Sequence, residues 1–372
     1  MNKMTRLQSI DKGNKTKMDI LDSIYFNSNQ TVSIEDSYGP AFQLKNRRYL
    51  GNKYKLLDFL NDIVNEKCDK YKSFCDIFAG TGVVGDYFNK KNIKVISNDI
   101  LISNFIPLQT FLGSFENNNK GLYDKILFLN TLKAEKDNYF STHFGCTYFS
   151  KENAIKIGTI REAIEIISGS IEEKYSLITS LIYAADKVAN TVGHYDAYRS
   201  NLDMLQPLKL LMPNIKYENN IYNEIYHKDA NQLIKDISCD VLYVDPPYNS
   251  RQYCDSYHVL ENLATWVKPK VYGKAKKMDR TYLKSQYCLK NAYETFYDLI
   301  EHAKCKHILV SYNNTGESKD GRSNSRIKDD EIKRVLKQKG TLEVFERTYR
   351  AFTTGRSTSE GHAERVFYCK VK

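Results

Sequence analysis

The chain has 372 residues, 41% hydrophobic and 27% charged, and a formal net charge of +10. That length can bury a full α/β core and still carry a second lobe or a large insertion, and the composition is ordinary for a soluble globular protein. No apolar run approaches a membrane span, the start Met1-Asn2-Lys3-Met4 is no signal peptide, and the eight cysteines show no paired Cys-x-x-Cys spacing. A zinc site, a disulfide framework and a membrane partner are thus not expected. A reducing cytoplasm and a polyanionic partner are.

Residues 1–40 are polar apart from the patch Ile20–Phe26 and read as an N-terminal extension without chemistry of its own. The basic and aromatic stretch Lys45-Asn46-Arg47-Arg48-Tyr49-Leu50-Gly51-Asn52-Lys53 then leads into an amphipathic helix running to about Val64. Glycine among cations at a helix start suits an anionic ligand, and equally a solvated helix end.

Ser73–Phe78 reads as a buried strand containing Asp76, turning through Ala79-Gly80-Thr81-Gly82 into a helix near Gly85. Small residues there let backbone approach a ligand closely. The next strand, Lys94–Ser97, ends in Asn98-Asp99, which places a carboxylate to accept from a ribose diol. Gly80, Gly82 and Gly85 also satisfy a Gly-x-Gly-x-x-Gly spacing, so at this point a dinucleotide enzyme stays open.

Between about 104 and 226 the strand pattern stops. Helices are predicted over Asn153–Ile167 and Leu177–Val188 from isoleucine and leucine at helical spacing. Polar, aromatic segments flank them, and in Asn190–Arg199 the side chains of His194, Tyr198 and Arg199 carry donors and acceptors suited to base edges. An ordinary helical lobe is the competing reading. The sheet resumes near Ile225, followed by Asp229, a ligand contact or a helix N-cap.

The β-branched run Cys239–Val244 enters Asp245-Pro246-Pro247-Tyr248. Two prolines end the strand in a stiff turn at its carboxyl edge, where open α/β sheets bind ligands. Asp245 and the prolyl carbonyls are acceptors and Tyr248 a stacking face, a set that suits a planar group bearing an exocyclic amine. Arg251 and Tyr253 follow. After a helix-like Tyr257–Trp266 comes a basic run from Lys268 to Lys284 that includes Lys274, Lys276 and Lys277, with tyrosines among them, and that pattern points to phosphate. His307–Tyr312 reads as another parallel strand, 313–328 as a mobile loop, and Leu342–Tyr349 with Arg365–Lys370 as an antiparallel closing pair. The loop Thr353–Thr358 between these two is a further candidate for touching phosphate.

Asp245-Pro246-Pro247-Tyr248 resembles the catalytic motif of amino-methyltransferases in its N6-adenine form, and Phe78-x-Gly80-x-Gly82 the glycine motif of adenine methyltransferases. With Tyr49/Gly51/Lys53 before them, and Asp99 and Asp229 between, the order resembles that of the α-group (Dam-like) DNA adenine-N6 methyltransferases over residues 45–370. The resemblance implies a Rossmann-like S-adenosylmethionine-dependent methyltransferase sheet, mostly parallel with an antiparallel closing strand. Residues 41–103 and 225–372 would form this catalytic domain, with 104–224 a helical insertion holding the DNA target-recognition region.

It further implies S-adenosylmethionine as cofactor, S-adenosylhomocysteine as product, no metal, and double-stranded DNA as partner. Tyr49, Lys53, Asp76, Phe78, Gly80, Gly82, Asp99 and Asp229 would bind the cofactor, and Asp245, Pro246, Pro247 and Tyr248 would act on the target amine. Arg251, Tyr253, Lys274, Lys276, Lys277, His194, Tyr198 and Arg199 would contact DNA. A modification enzyme of a restriction-modification system is the expected role, and whether a cognate endonuclease accompanies it stays open. N4-cytosine or RNA methylation, or an inactive nucleic-acid-binding protein on the same fold, are the alternatives.

Overall fold

Side chains alternate along each central strand, and the alternation divides them between two helical layers. Phe74, Val241, Tyr243 and Leu309 enter one buried cluster, while Cys75, Leu242, Val244, Ile308 and Val310 enter the other. Strands buried on both faces in this way read as near-continuous apolar runs, as Val241–Val244 does. The computed structural model describes residues 39–114, 119–202, 206–215, 219–312, 325–348 and 363–372. The extension before residue 39, the segment 313–324 and the Thr353–Thr358 loop lie outside the described residues.

The central strands are β2 (Ser73–Asp76), β3 (Lys94–Asn98), β5 (Glu224–Tyr226), β6 (Val241–Val244), β9 (His307–Ser311), β10 (Gly340–Thr348) and β11 (Ala363–Val371). Their order is β10-β11-β9-β6-β2-β3-β5. β5, β3, β2, β6 and β9 are parallel, and β11 runs antiparallel to both β9 and β10. The expected closing pair is present, joined by nine register pairs from Gly340–Val371 to Thr348–Ala363. From β2 the chain moves outward through β3 to β5, then returns to lay β6 and β9 on the other side. The order therefore reverses between β2 and β6, and a crevice opens at their carboxyl ends.

Two short pairs lie outside this sheet: β1 (Ala41–Phe42) with β4 (Met212–Pro213), and the hairpin β7 (Val271–Tyr272) with β8 (Lys277–Met278). Helices α1 (Leu57–Lys67), α2 (Val83–Asn89) and α3 (Ile102–Leu112) cover one face of the sheet. The same buried cluster continues into α4 (Asn119–Thr131), α5 (Tyr139–Phe144), α6 (Lys151–Ile167) and α7 (Ile171–Val188). The opposite face carries α8 (Ala230–Asp236), α11 (Ala292–His302) and α12 (Asp329–Lys339). After the Asp245–Tyr248 turn come α9 (Tyr253–Ser256) and α10 (His258–Thr265).

The boundary drawn from sequence at 104 cuts through α3, whose Ile106 and Leu108 join the sheet's own core. The pattern change at 104 marks the end of strands, and the core carries on past it. Polar links fasten these helices to α10, which follows the Asp245–Tyr248 turn. Arg161 of α6 is buried and donates from Nε to Leu263 O (2.9 Å) and from Nη2 to Ala264 O (3.1 Å), serving the last carbonyls of α10. In return Glu261 of α10 accepts from the amides of Ile102 (3.0 Å) and Ser103 (2.8 Å), where a carboxylate suits the amino end of α3.

Among the described residues, no helix is long and apolar enough to cross a membrane.

Candidate active site

The carboxyl ends of β2, β3 and β6 bring three acids to one edge: Asp76, Asp99 and Asp245. All three line a cavity of about 460 Å³, which is within the usual size for a small-molecule site.

The glycine turn forms one wall. Gly80 has φ +55°, and a Cβ there would stand 3.1 Å from Tyr49 Cε1. Gly82 has φ +83°, and its Cβ would strike Leu108 Cδ2 at 2.4 Å. Both positions require glycine, one for backbone conformation beside the Tyr49 ring and one for packing under α3. The turn is pinned by Ala79 N donating to Asn98 O (2.9 Å) and Gly80 N donating to Asp99 Oδ2 (2.9 Å). Asp99 Oδ1 also accepts from Leu101 N (2.8 Å). Burial raises the Asp99 carboxyl against these bonds and the Arg47 guanidinium.

Tyr49 is held as firmly. Its ring stacks on Tyr257 (centroids 4.5 Å apart, planes at 10°) and on Tyr253 (5.3 Å, 13°). Its hydroxyl accepts from Asn104 Nδ2 (3.0 Å), and Arg47 Nη1 donates to Asn104 Oδ1 and Ser103 O, both at 2.8 Å. The guanidinium of Arg47 lies 5.6 Å from the Tyr49 ring and 5.7 Å from that of Tyr257. Tyr253 Oη donates to Leu50 O (3.2 Å), and Leu50 N donates to Tyr257 Oη (2.7 Å). Two tyrosines just past the Asp245–Tyr248 turn thus clamp the segment that enters the cavity some 200 residues earlier.

Lys53 crosses from that segment to Asp245. Its ammonium is 2.9 Å from Asp245 Oδ2, with Gly51 O at 3.1 Å. Burial works against the Lys53 charge, but the Asp245 and Glu364 carboxylates outweigh it and hold the ammonium above its ordinary pKa. Burial pushes Asp245 upward, with Lys53 opposing. The sequence placed Lys53 beside the cofactor. The structure pairs it with the Asp245 carboxylate in the wall of the cavity.

Phe78 lies edge-on to Tyr287 (5.1 Å), whose hydroxyl donates to Asn231 Oδ1 (2.9 Å). Asp229 caps α8, its Oδ1 accepting from Asn231 N (3.0 Å) and Gln232 N (3.1 Å), while it also lines the cavity. Both functions foreseen for it are compatible.

A second cavity of about 100 Å³ adjoins the first, with Leu50, Gly51, Pro247 and Tyr253 lining both, and Tyr248, Arg251 and Ser256 lining the second alone. Tyr248 O accepts from Arg326 N (2.8 Å) and Tyr312 Oη (3.2 Å), which fixes the turn's exit, and its ring meets Tyr312 edge-on at 6.2 Å. Pro246 is buried between Asp245 and Pro247.

The remaining DNA candidates gather elsewhere. Lys277 of β8 is 2.8 Å from Asp196 Oδ1 and 3.3 Å from Asp255 Oδ1, and Arg280 pairs with Asp255. Ser256 Oγ donates to Asp196 Oδ2 (3.0 Å). Tyr148 Oη lies within bonding distance of both Tyr195 O (2.9 Å) and Ala275 O (3.0 Å), so the 190–199 loop and the β7–β8 hairpin are fastened together. His194 Nδ1 accepts from Asp196 N (3.3 Å), Tyr198 meets Tyr148 edge-on at 5.1 Å, and Arg199 is exposed. Lys274 is exposed and Lys276 half-buried, and neither has an ion-pair partner among the described residues. Tyr253 sits in the aromatic stack between the two cavities, apart from these surface groups.

Sequence reasoning missed Arg47, Asn98, Asn104, Tyr257 and Tyr287. Asn98 could have been found, because it immediately precedes Asp99 in the strand tip. Its Nδ2 donates to Ile77 O and Lys228 O, both at 3.1 Å, tying the glycine turn to the Asp229 turn.

A profile of D12 class N6 adenine-specific DNA methyltransferases matches residues 49–320, covering Tyr49 and the Asp245–Tyr248 turn together. The chain belongs to this family. It is 34% identical over 351 residues to the type II methyltransferase M.FokI of Planomicrobium okeanokoites, covering 86% of the chain and 52% of the relative. It is 33% identical over 329 residues to the type II methyltransferase M.NlaIII of Neisseria lactamica, covering 84% of the chain and 95% of that relative. It is 32% identical to the modification methylase StsI of Streptococcus sanguinis, again covering 52% of that relative. This D12-class chain thus spans about half the length of two of these relatives and nearly all of the third.

Proposed function

We propose that this protein is a site-specific DNA adenine-N6 methyltransferase that transfers the methyl group of S-adenosylmethionine to an adenine flipped out of duplex DNA. One observation carries the reading. Asp245, paired with Lys53, stands in the wall of the larger cavity, and Tyr248, three residues on in the same turn, lines the adjoining smaller one. A cofactor in the larger cavity and a base in the smaller would meet at this turn.

The residues present fit the cofactor. Asp99 follows β3, where its carboxylate can accept from a ribose diol, glycine backbone lines the approach, and Asp76 offers a buried oxygen without a partner. The strand order, reversing between β2 and β6, supports the Rossmann-like methyltransferase sheet. When bound, S-adenosylmethionine supplies an electrophilic methyl on a sulfonium.

The chain's own groups act on the amine. An adenine amine is a poor nucleophile because its lone pair is delocalised into the ring. Accepting its two hydrogens, at Asp245 and the Pro246 carbonyl, turns the lone pair toward the methyl. Lys53 keeps Asp245 oriented and favours its ionised, acceptor form. The proton leaves the nitrogen after transfer, so Asp245 need not be a strong base. Flipping the base costs a few kcal/mol, and stacking on Tyr248 returns about 1–3 kcal/mol.

Arg251, the 190–199 loop and Lys274 and Lys276 of the hairpin form the DNA side of this reading, and a restriction-modification role follows from the family and from the relatives' names. The experiment is transfer of labelled methyl from S-adenosylmethionine to duplex DNA. Label in DNA adenine is the expected result, and label confined to RNA or to cytosine would overturn the reading.

A further inference from the structure

The segment 281–287, between the β7–β8 hairpin and α11, lines the larger cavity along its whole length. It is built from two single 3-10 turns, Thr281–Leu283 and Gln286–Cys288, with Lys284 and Ser285 extended between them. Among the described residues its backbone–backbone hydrogen bonds stay within 280–289: Leu283 N donates to Arg280 O (3.0 Å), and Cys288 N to Ser285 O (3.2 Å). A wall with no backbone bond to a strand or an α-helix opens at lower local cost than the strand ends beside it.

Side chains fasten this strap. Leu283 is buried at one end and Tyr287 at the other, where the Tyr287 hydroxyl donates to Asn231 Oδ1 (2.9 Å). Lys284 and Gln286, between those anchors, are exposed. The middle is held by Gln252, itself 7% exposed. Its Nε2 donates to Ser285 O (3.1 Å) and its Oε1 accepts from Ser285 N (2.8 Å), the exchange a residue of a neighbouring strand would make. An amide suits the position, because a carboxylate would offer Ser285 O no donor and an ammonium would offer Ser285 N no acceptor.

Gln252 also stands where the two cavities adjoin. It precedes α9, and its carbonyl accepts from Asp255 N (3.0 Å) and Ser256 N (3.2 Å). Arg251 before it lines the smaller cavity, while Tyr253 after it lines both and stacks on Tyr49. Cys288 Sγ donates to Arg251 O (3.3 Å), so the far end of the strap meets the same stretch. The strap is thereby tied to the chain leaving the Asp245–Tyr248 turn.

Resting on the cofactor reading of the larger cavity, we propose that Gln252 is a positioning residue that holds 281–287 closed against bound S-adenosylmethionine, so that its pair of hydrogen bonds to Ser285 sets how long the cofactor stays. Gln252 acts through the strap and not on the reacting atoms. The cofactor leaves when the pair opens.

The test is release of labelled S-adenosylmethionine from the whole chain, chased with excess unlabelled cofactor, beside single-turnover methyl transfer to duplex DNA at saturating cofactor. Gln252→Met keeps the side-chain length, removes both bonds, and should release the cofactor about tenfold faster. Transfer should slow by a smaller factor, since Asp245 and Tyr248 keep their own partners. Ser285→Pro removes the amide donor from the other side. The backbone accepts it, because φ at Ser285 is −73° and Lys284 before it is extended. Its reference is Ser285→Ala, which loses only the hydroxyl that accepts from Tyr287 N (3.3 Å).

Against that reference Ser285→Pro should also speed release. Added to Gln252→Met it should contribute less than about a further twofold, because both substitutions break one pair. Release at the reference rate by either variant would overturn the proposal while leaving the cofactor reading intact. So would factors that multiply in the double variant, or transfer that slows as much as release quickens. Ser285→Pro leaves Gln252 in place, so it decides the matter where Gln252→Met fails to fold. Wild-type protein that binds no S-adenosylmethionine would overturn the cofactor reading itself, and the proposal with it.

Discussion

The strand-end edge and the loop–hairpin surface are built by opposite means. At the edge, each acid sits at the end of its own strand, and short local motifs place it: Asp76 closing β2, Asp99 after β3, Asp245 after β6. On the loop–hairpin side, Asp196 and Lys277 are 81 residues apart and meet only through tertiary packing. Local placement gives rigid, buried acids with shifted titration. Long-range placement gives a partly exposed ion-pair network whose members brace one another. Loss of one edge group should therefore stop chemistry or cofactor binding. Loss of one hairpin cation should change DNA affinity or local stability by a small amount.

The largest expected effect is at the turn. Asp245→Ala should lower methyl transfer by at least about a hundredfold, the scale seen when a preorganised transition-state interaction is removed. Calorimetry should show cofactor binding retained. Near-normal single-turnover rates would remove Asp245 from the mechanism and dissolve the contrast.

Lys53→Met should come next, with a readout in pH. Burial already raises Asp245 and Lys53 opposes it, so losing the ammonium should raise that pKa further. The low-pH fall in transfer rate should then begin at a higher pH than in the wild type. An acid limb that stays in place would show that the ion pair does not tune Asp245.

Asp99→Ala should weaken cofactor binding by about ten- to a hundredfold, the equivalent of a charged hydrogen bond worth about 1.5–3 kcal/mol. Part of that loss would come through Gly80, whose amide Asp99 also holds. Calorimetric affinity equal to wild type would release Asp99 from the ribose.

The smallest effects belong to the hairpin. Neutralising Lys274 and Lys276 to Gln should reduce the slope of log affinity against log salt by about 0.9 for each phosphate that no longer meets a cation, on cognate and non-cognate duplexes alike. Lys277→Met should instead lower the melting temperature, because its ammonium braces Asp196 and Asp255; such partly exposed networks contribute up to about 1 kcal/mol. A salt slope that responds to Lys277 as strongly as to Lys274 would erase this distinction.

The same contrast explains what was legible in the sequence. Strand patterns and the residues at strand ends can be read because period-2 alternation and a terminal Asp or glycine turn are local signals. The closing pair is legible for that reason too, expected over Leu342–Tyr349 and Arg365–Lys370 and found over Gly340–Thr348 and Ala363–Val371. The clamp of Tyr253 and Tyr257 on Leu50 was not, since nothing in a Tyr-rich chain distinguishes a stacked tyrosine from any other. Nor was the division among the lysines. A basic run carries no mark for which cation finds a carboxylate, and Lys277 finds two while Lys274 and Lys276 find none among the described residues. Arg47 looked like one cation in a solvated start. It is buried beneath Tyr49 and Tyr257 because Ser103 and Asn104, more than fifty residues away, supply its acceptors.

The proposed role of the turn Asp245–Tyr248 is to direct a methyl group to the exocyclic amine of adenine in DNA. The most direct test is to incubate duplex DNA with the protein and methyl-labelled S-adenosylmethionine, digest the DNA to nucleosides, and separate them by mass. Label is expected in N6-methyldeoxyadenosine with the wild type and none with Asp245→Ala. Label in N4-methyldeoxycytidine, or equal adenine labelling by the wild type and the variant, would contradict that role for the turn.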